Sequence, residues 1–194
     1  MTMESFLVPT GVVAIAEIGD KTQLLAFVLA ARFRKPVPII LGILLATLVN
    51  HGLAGALGSW FKEAIGGGGL RWVLGLSFIG MAVWALIPDR MQADEAETPK
   101  RLGVFGATLV AFFFAEMGDK TQLATIAMAA RYAAPVEVVL GTTLGMMIAN
   151  VPAVFAAHRL VDRMPMKIIR AIAAALFAAL GLMTLLGVDA GLGL

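Results

Sequence analysis

The stretch AEIGDKTQ, residues 16–23, places three charged side chains within five positions in the middle of a long apolar run. Nearly the same eight residues return as AEMGDKTQ at 115–122, again inside an apolar run. Charge is expensive there, because an Asp or Lys at the centre of a membrane helix costs about 2.5–3.5 kcal/mol on insertion scales. The charges of these two octets therefore need partners, which must be each other, water or an ion.

The composition around the octets is that of an integral membrane protein. Of the 194 residues, 60% are hydrophobic and 14% are charged, whereas soluble domains hold about 45–50% and about 25%. The absence of cysteine excludes disulfides and thiolate metal sites. The net charge of +2 gives no indication of nucleic-acid binding, and we expect none. Because the N-terminus carries Glu4 and no basic segment, we expect its apolar run to stay as a membrane helix.

Six apolar segments are long enough to be membrane helices, since a span needs about 20 mostly apolar residues. The predicted spans are about 6–31, 37–58, 70–88, 103–130, 136–156 and 168–187. We interpret the glycines at 66–69 as a flexible connector before the third span. The polar stretch at 89–101 is interpreted as the loop that divides two halves.

The two halves are copies of one unit. Residues 16–36 align without gaps to residues 115–135 at an offset of 116 − 17 = 99, and 12 of the 21 positions are identical. The same offset pairs His51 with Asn150 and Arg71 with Arg170. The sequence therefore predicts a first three-helix repeat at 1–88, a polar cytoplasmic loop at 89–102 and a second three-helix repeat at 103–194.

Three spans per repeat is an odd number, so the second copy must enter the membrane inverted. The first, third and fifth predicted loops carry ten Lys and Arg residues, and the loops on the opposite side carry three. The positive-inside bias then places the central loop in the cytoplasm and both termini outside. The predicted fold is all-α and integral to the membrane, with six transmembrane helices in two inverted repeats, an architecture typical of secondary transporters.

Inverted symmetry would bring the acidic side chains of the two octets together near the bilayer centre. On a helix, Glu17 shares a face with Asp20 and Lys21, at spacings of three and four residues. The second octet repeats this pattern with Glu116, Asp119 and Lys120. Four carboxylates and two ammonium groups leave a charge of −2, which a divalent cation would balance. Without a cation the carboxylates repel one another and would take up protons. Such a site suits a cation/proton exchanger.

Other residues of the octets could complete the site. Oxygen donors are hard ligands that suit Ca²⁺, Mg²⁺ or Mn²⁺, so the amide oxygens of Gln23 and Gln122 are candidate metal ligands beside the four carboxylates. Local unwinding at Gly19 and Gly118 could free backbone carbonyls. The remaining candidate supporting residues are Lys21, Lys120, Thr22, Thr121, Asn50, His51 and Asn150.

Alternatives stay open for several of these supporting residues. The two lysines could hold the empty site together, extend toward the interface, or pair statically with carboxylates. The two threonines could line the site or bond back to a carbonyl one turn earlier. His51 could relay protons or make an interhelical hydrogen bond. Arg32 and Arg131 are interpreted as anchors that extend to the membrane interface.

The motifs EIGDKT at 17–22 and EMGDKT at 116–121, one per half, resemble a family of small cation/proton exchangers. This family comprises the Golgi and chloroplast manganese–calcium transporters and bacterial manganese exporters, in the lysine-exporter superfamily. The resemblance covers essentially the whole chain. It implies export of Mn²⁺, with Ca²⁺ as the alternative ion, from the cytoplasm in exchange for protons. It also implies a bacterial plasma (inner) membrane location and assigns the acidic positions to Glu17, Asp20, Glu116 and Asp119.

Two other functions remain open from the residues alone. One is export of a small organic cation such as a basic amino acid, whose carboxylate Lys21 or Lys120 could bind. The other is a non-transporting membrane assembly factor. An enzyme is not expected, because no Ser–Lys, Ser–His or HExxH arrangement is present. We expect membrane lipid and the transported ion as partners, no permanently bound cofactor, and either a monomer or a homodimer.

Overall fold

The computed structural model describes residues 3–87, 102–156 and 166–187, and its regular structure there is entirely α-helical. The helices are α1 (Met3–Glu17), α2 (Lys21–Phe33), α3 (Pro36–Ala85), α4 (Gly103–Glu116), α5 (Lys120–Tyr132), α6 (Pro135–Phe155) and α7 (Met166–Leu186). The predicted all-α class is confirmed. Apart from Leu102, the predicted central loop at 89–102 lies outside the described residues.

The first and fourth predicted spans are each two helices and not one. α1 ends at Glu17 and α2 begins at Lys21, while α4 ends at Glu116 and α5 begins at Lys120. The breaks follow from Gly19 at φ 77° and Gly118 at φ 75°, a left-handed conformation that glycine adopts at low cost. The predicted local unwinding is therefore present. The prediction that Glu17 and Asp20 share one helix face is wrong, because the helix has ended between them.

The two repeats share the backbone details of these breaks. Asp20 and Asp119 are extended and cap the following helix, since their carboxylates accept from the backbone N–H groups of Lys21 and Thr121 respectively. Helices α2 and α5 both end in a left-handed residue, Arg34 at φ 54° and Ala133 at φ 51°. These two residues are also separated by 133 − 34 = 99 positions, so the sequence repeat corresponds to repeated local structure.

The helical assignment of α3 runs through the glycines at 66–69. The sequence predicted a connector at this stretch, and the direction of the chain reverses in the region that contains it. Glycine is about 1 kcal/mol less favourable than alanine inside a helix.

The N-terminal and the C-terminal parts of α3 run in opposite directions. Its N-terminal part is antiparallel to α6, because His51 contacts Thr142 and Gly55 lies against Pro135. Since α5 joins α6 through a short turn, this part runs parallel to α5.

The C-terminal part of α3 is antiparallel to α7, because Gly75 lies against Leu185 and Ile79 against Gly181. α7 runs parallel to α5, since the N-termini of both helices line one cleft and their C-terminal parts are joined by a hydrogen bond from Arg131 to Thr184. The direction of the chain therefore reverses between Gly58 and Gly75, the region that contains the four glycines.

Among the described helices, Pro36–Ile65 and Pro135–Phe155 are long and apolar enough to cross a membrane by length and composition. Shorter apolar helices cover Gly69–Ala85, Gly103–Glu116 and Arg170–Leu186. Exposed apolar side chains follow every fourth residue along one face of α3 and of α6. They are Val37, Leu41, Leu45 and Val49 in α3, and Val136, Leu140, Leu144 and Ile148 in α6. These two faces correspond at the offset of 99 and are of the kind that lipid covers.

Close packing of α1 on α6 fixes the position of the first break. A Cβ atom added to Gly141 would clash with the Phe6 carbonyl oxygen, and one added to Gly145 would lie 2.6 Å from the Thr10 carbonyl oxygen. Both glycines therefore let the two backbones approach closely, as small residues do between membrane helices. This contact aligns the C-terminal end of α1 with the middle of α6.

Arg131 was predicted to extend to the membrane interface, but its side chain is buried. Its Nη1 donates to Thr184 Oγ1 at 2.7 Å and to the Leu180 carbonyl oxygen at 3.3 Å. The side chain thus joins the end of α5 to α7. Its repeat equivalent, Arg32, is exposed, so the two repeats differ in the environment of this arginine.

Candidate cation site

The two breaks bring acidic side chains of both repeats into one buried group. Carboxylate oxygens of Glu17, Asp20 and Asp119 all lie within 4.8 Å of one another. Glu116 lies outside this group of three but close to Asp119, because Thr121 Oγ1 is within 3.5 Å of both carboxylates. All four side chains are buried, with exposures between 0% and 3%. The structure thus assembles the four carboxylates from the ends of α1 and α4 and the starts of α2 and α5.

Two threonine hydroxyls donate to these carboxylates. Thr22 Oγ1 donates to Glu17 Oε2 at 2.7 Å. Thr121 Oγ1 lies 3.2 Å from Asp119 Oδ2 and 3.5 Å from Glu116 Oε2, so its single proton is shared between two acceptors. Both threonines therefore line the acidic group. Thr121 also accepts, through its backbone carbonyl, a bond from Thr125.

One oxygen of each glutamate has no hydrogen-bond partner among the described residues. These atoms are Glu17 Oε1 and Glu116 Oε1, and both are inaccessible to solvent. A buried polar atom left without a partner costs about 1–3 kcal/mol, and more when it is charged. Carboxylate oxygens in this state are suited to coordinate a cation or to hold a proton, which are the two ways of removing the cost.

The two motif lysines have different environments. Lys120 Nζ lies 3.0 Å from Asp20 Oδ2, and the two side chains are 5% and 0% exposed. Lys21, its repeat equivalent, is half-buried at the start of α2. Lys120 is therefore paired with a carboxylate and does not extend toward the interface, and the pair joins the second repeat to the first.

The two motif glutamines bond to the glycines of the breaks. Gln23 Oε1 accepts from Gly19 N–H at 2.8 Å, and Gln122 Oε1 accepts from Gly118 N–H at 2.7 Å. Gln23 Nε2 also donates to the Ala149 carbonyl oxygen of α6 at 2.9 Å. These bonds satisfy donors that the helix breaks leave without a helical acceptor. A role of either glutamine as a metal ligand stays a prediction.

The other predicted supporting residues lie on α3 and α6. Asn50 Nδ2 donates to the Phe113 carbonyl oxygen at 3.0 Å, close to the end of α4, and Asn150 Nδ2 donates to the Met146 carbonyl oxygen at 3.1 Å. His51 Nδ1 lies 2.9 Å from Thr142 Oγ1. The interhelical hydrogen bond predicted for His51 is therefore present, and a proton-relay role stays a prediction.

A cleft beside Asp20 and Lys120 contains a residue that the sequence singled out only as the repeat equivalent of Arg71. Arg170, near the start of α7, lines this cleft together with Ala85, Ala173, Ile15, Ala16, Ile18 and Gly19. Its repeat equivalent, Arg71, lies instead beside Gly187. Arg170 is a basic residue in an apolar segment, which is a sequence signal for a functional role. Its position beside the octet, however, depends on how α7 packs.

The family model described as "Divalent cation/proton antiporter GDT1" matches residues 5–93 and 104–191, which together cover most of the chain. The chain belongs to the GDT1 family. It is therefore a member of a family of membrane transporters and not an enzyme, as the sequence predicted. The family recognised from the paired motifs is confirmed by this match.

Relatives of this GDT1-family protein include one bacterial and two plant proteins. It is 50% identical over 173 residues to the "Putative manganese exporter" of Vibrio cholerae, covering 89% of this chain and 86% of the relative. It is 26% identical to "GDT1-like protein 5" of Arabidopsis thaliana, covering 95% and 96% of the two chains. "Protein PAM71-homolog, chloroplastic" of the same plant is 25% identical, with 94% of this chain and 59% of the relative covered. No solved structure matches.

Proposed function

We propose that this GDT1-family protein exports Mn²⁺ from the cytoplasm in exchange for protons, and that Glu17, Asp20, Glu116 and Asp119 bind the ion. The observation that carries the proposal is the convergence of buried carboxylates from two separate helix breaks, with partnerless oxygens on Glu17 and Glu116. The printed name of the Vibrio cholerae relative supports Mn²⁺ as the ion. Ca²⁺ is the alternative ion, because it also prefers carboxylate oxygens.

The exchange follows from the two ways of neutralising this acidic group. A divalent cation requires ionised carboxylates, so binding of the ion releases protons from the site. When the ion leaves, the closely spaced carboxylates repel one another and take protons up again. A site that alternates between metal and protons while it opens to opposite sides of a membrane couples the two movements.

The topology forms part of the proposal. The reversal of direction within α3, the two exposed apolar faces and the matching breaks support six membrane segments in two inverted repeats. α1 has 15 residues, or about 22 Å at about 1.5 Å per residue, so it ends before it could cross a hydrocarbon core about 30 Å thick. In the proposed arrangement the carboxylates lie near the middle of the plasma membrane, both termini lie outside and the central loop lies in the cytoplasm.

The test uses the purified full chain in liposomes that contain a pH-sensitive dye. Mn²⁺, Ca²⁺, Mg²⁺ and lysine are added in turn outside, and the expected result is proton movement driven by Mn²⁺. Glu17→Gln and Glu116→Gln should each abolish this movement. Glu63→Gln, which changes an exposed carboxylate on α3, is the matched control and should transport as the wild type does.

Two results of this assay would overturn the proposal. Full Mn²⁺-driven exchange by both glutamate variants would show that the acidic group is not the transport site. Proton movement driven by lysine and not by any divalent ion would favour the exporter of a small organic cation. The first result is informative only for variants that remain folded, which size-exclusion profiles in detergent report.

A further inference from the structure

The buried ion pair between Lys120 and Asp20 crosses from one repeat to the other at the acidic group. Lys120 is the first residue of α5, and Asp20 caps α2. The oxygen that meets the ammonium group, Asp20 Oδ2, is 3.0 Å from Nζ. Asp20 is at the same time one of the three residues whose carboxylate oxygens converge within 4.8 Å. The ammonium group therefore lies where a bound cation would need the Asp20 carboxylate.

This arrangement breaks the symmetry that the two repeats otherwise share. The backbone at the two breaks is nearly identical, with φ values of 77° and 75° at the glycines. Asp119, the equivalent of Asp20, accepts from the hydroxyl and the backbone N–H of Thr121. Lys21, the equivalent of Lys120, is half-buried, whereas Lys120 is 4% exposed. The octet sequence therefore does not by itself dictate the position of Lys120, and the packing of one repeat on the other selects it.

An ammonium group and a divalent ion cannot both bind the same face of one carboxylate. Divalent cations take oxygen ligands at about 2.0–2.6 Å, and a lysine at hydrogen-bond distance would be repelled strongly in a site with little water. Binding of the ion at Asp20 thus requires the Lys120 side chain to move. The adjoining cleft, lined partly by Ala85 and Ala173, offers space beside the lysine.

We propose that Lys120 is a tethered counter-ion that competes with the transported cation for Asp20. It neutralises part of the acidic group when the ion is absent and is displaced when the ion binds. The competition lowers the affinity for the ion and so permits release. This inference rests on the proposed function, because it presumes that a divalent cation binds the acidic group.

The test measures Mn²⁺ binding to the purified full chain in detergent at one fixed pH by titration calorimetry. Lys120→Gln should lower the Kd for Mn²⁺ by about tenfold, the change expected if the pair competes with a free energy of about 1.4 kcal/mol. Lys62→Gln, which changes an exposed lysine on α3, should leave the Kd unchanged. Lys21→Gln should lower the Kd by less than Lys120→Gln does. An unchanged or higher Kd in Lys120→Gln would overturn the proposal.

A second variant keeps the proposal testable if Lys120→Gln proves unstable. In Lys120→Ala, ethylammonium added to the solution replaces the missing ammonium group and should raise the Kd for Mn²⁺ again, with no effect on the wild type. Failure of ethylammonium to weaken binding by Lys120→Ala would contradict the competition.

The two proposals fail in different ways. If the wild type binds no divalent ion, the proposed transport function is wrong. If the wild type binds Mn²⁺, Glu17→Gln abolishes binding and Lys120→Gln leaves the Kd unchanged, then the acidic group is the cation site and only the tethered counter-ion is wrong.

Discussion

Gln23 stabilises the break at Gly19 and attaches it to α6. Its side-chain oxygen accepts from Gly19 N–H at 2.8 Å, and its side-chain nitrogen donates to the Ala149 carbonyl oxygen at 2.9 Å. One residue of the octet therefore satisfies a glycine donor and joins the first repeat to the second. Gln122 makes the equivalent glycine bond at 2.7 Å in a more exposed position.

Replacement of Gln23 by Leu should destabilise the protein more than the same change at Gln122. The first variant loses a bond to Gly19 and a bond to α6, and the second loses the equivalent glycine bond. The additional hydrogen bond that Gln23→Leu loses is worth about 0.5–1.5 kcal/mol. Its Tm should therefore be a few degrees lower than that of Gln122→Leu. Thermal unfolding in detergent measures the difference. Equal Tm values for the two variants would contradict a cross-linking role of Gln23.

The left-handed glycine at the second break should tolerate alanine poorly even though it has space. A Cβ atom on Gly118 would meet nothing within 4 Å, but the residue has φ +75°. The expected cost for Gly118→Ala is therefore backbone strain of about 1–2 kcal/mol, without a steric clash.

Gly11→Ala is the matched control for this backbone effect. Gly11 lies inside α1 and also has nothing within 4 Å of an added Cβ, so alanine there should be neutral or stabilising. We expect Gly118→Ala to lower both the Tm and the rate of Mn²⁺-driven proton movement, and Gly11→Ala to lower neither. A Gly118→Ala protein as stable as the wild type would show that the break does not depend on the left-handed residue.

The sequence was sufficient for the class of the protein and for the local unwinding within the two octets. The octets repeat at an offset of 99, and the offset carried through to the glycine conformations and the aspartate caps. Residue types with strong conformational preferences made this possible. Gly19 and Gly118 indicated unwinding because glycine alone enters the left-handed region at little cost.

The sequence was not sufficient where tertiary packing decides the outcome. It gave Lys21 and Lys120 the same description, whereas only the packing of the repeats makes Lys120 the partner of Asp20. In the same way Arg131 is buried against α7 while Arg32 is exposed. Periodicity also placed Glu17 and Asp20 on one helix, although the carboxylates meet across a break. The sequence therefore predicted that these carboxylates lie close together, but it wrongly attributed this to a shared helix face.

The hydroxyl of Thr22 should matter for cation binding because it donates to Glu17 Oε2 at 2.7 Å. Thr22→Val keeps the shape and removes the donor, so ionised Glu17 loses a hydrogen bond worth about 1.5–3 kcal/mol. We expect the Kd for Mn²⁺ to rise by about tenfold or more.

Thr47→Val is the control for Thr22→Val. Thr47 Oγ1 is buried and has no hydrogen-bond partner among the described residues, so valine removes no bond there and the Kd should be unchanged. If Thr22→Val bound Mn²⁺ as tightly as the wild type, the hydroxyl would not support the ionised carboxylate.

Arg131 should contribute to stability, and its repeat equivalent Arg32 should contribute much less. Arg131→Gln removes the bonds to Thr184 and to the Leu180 carbonyl oxygen in a buried position, where the loss of a charged donor costs more than at the surface. Arg32 is exposed, and Arg32→Gln should change the Tm by about a degree at most. We expect Arg131→Gln to lower the Tm by several degrees in the same detergent. A Tm for Arg131→Gln as high as that for Arg32→Gln would mean that the link between α5 and α7 does not stabilise the fold.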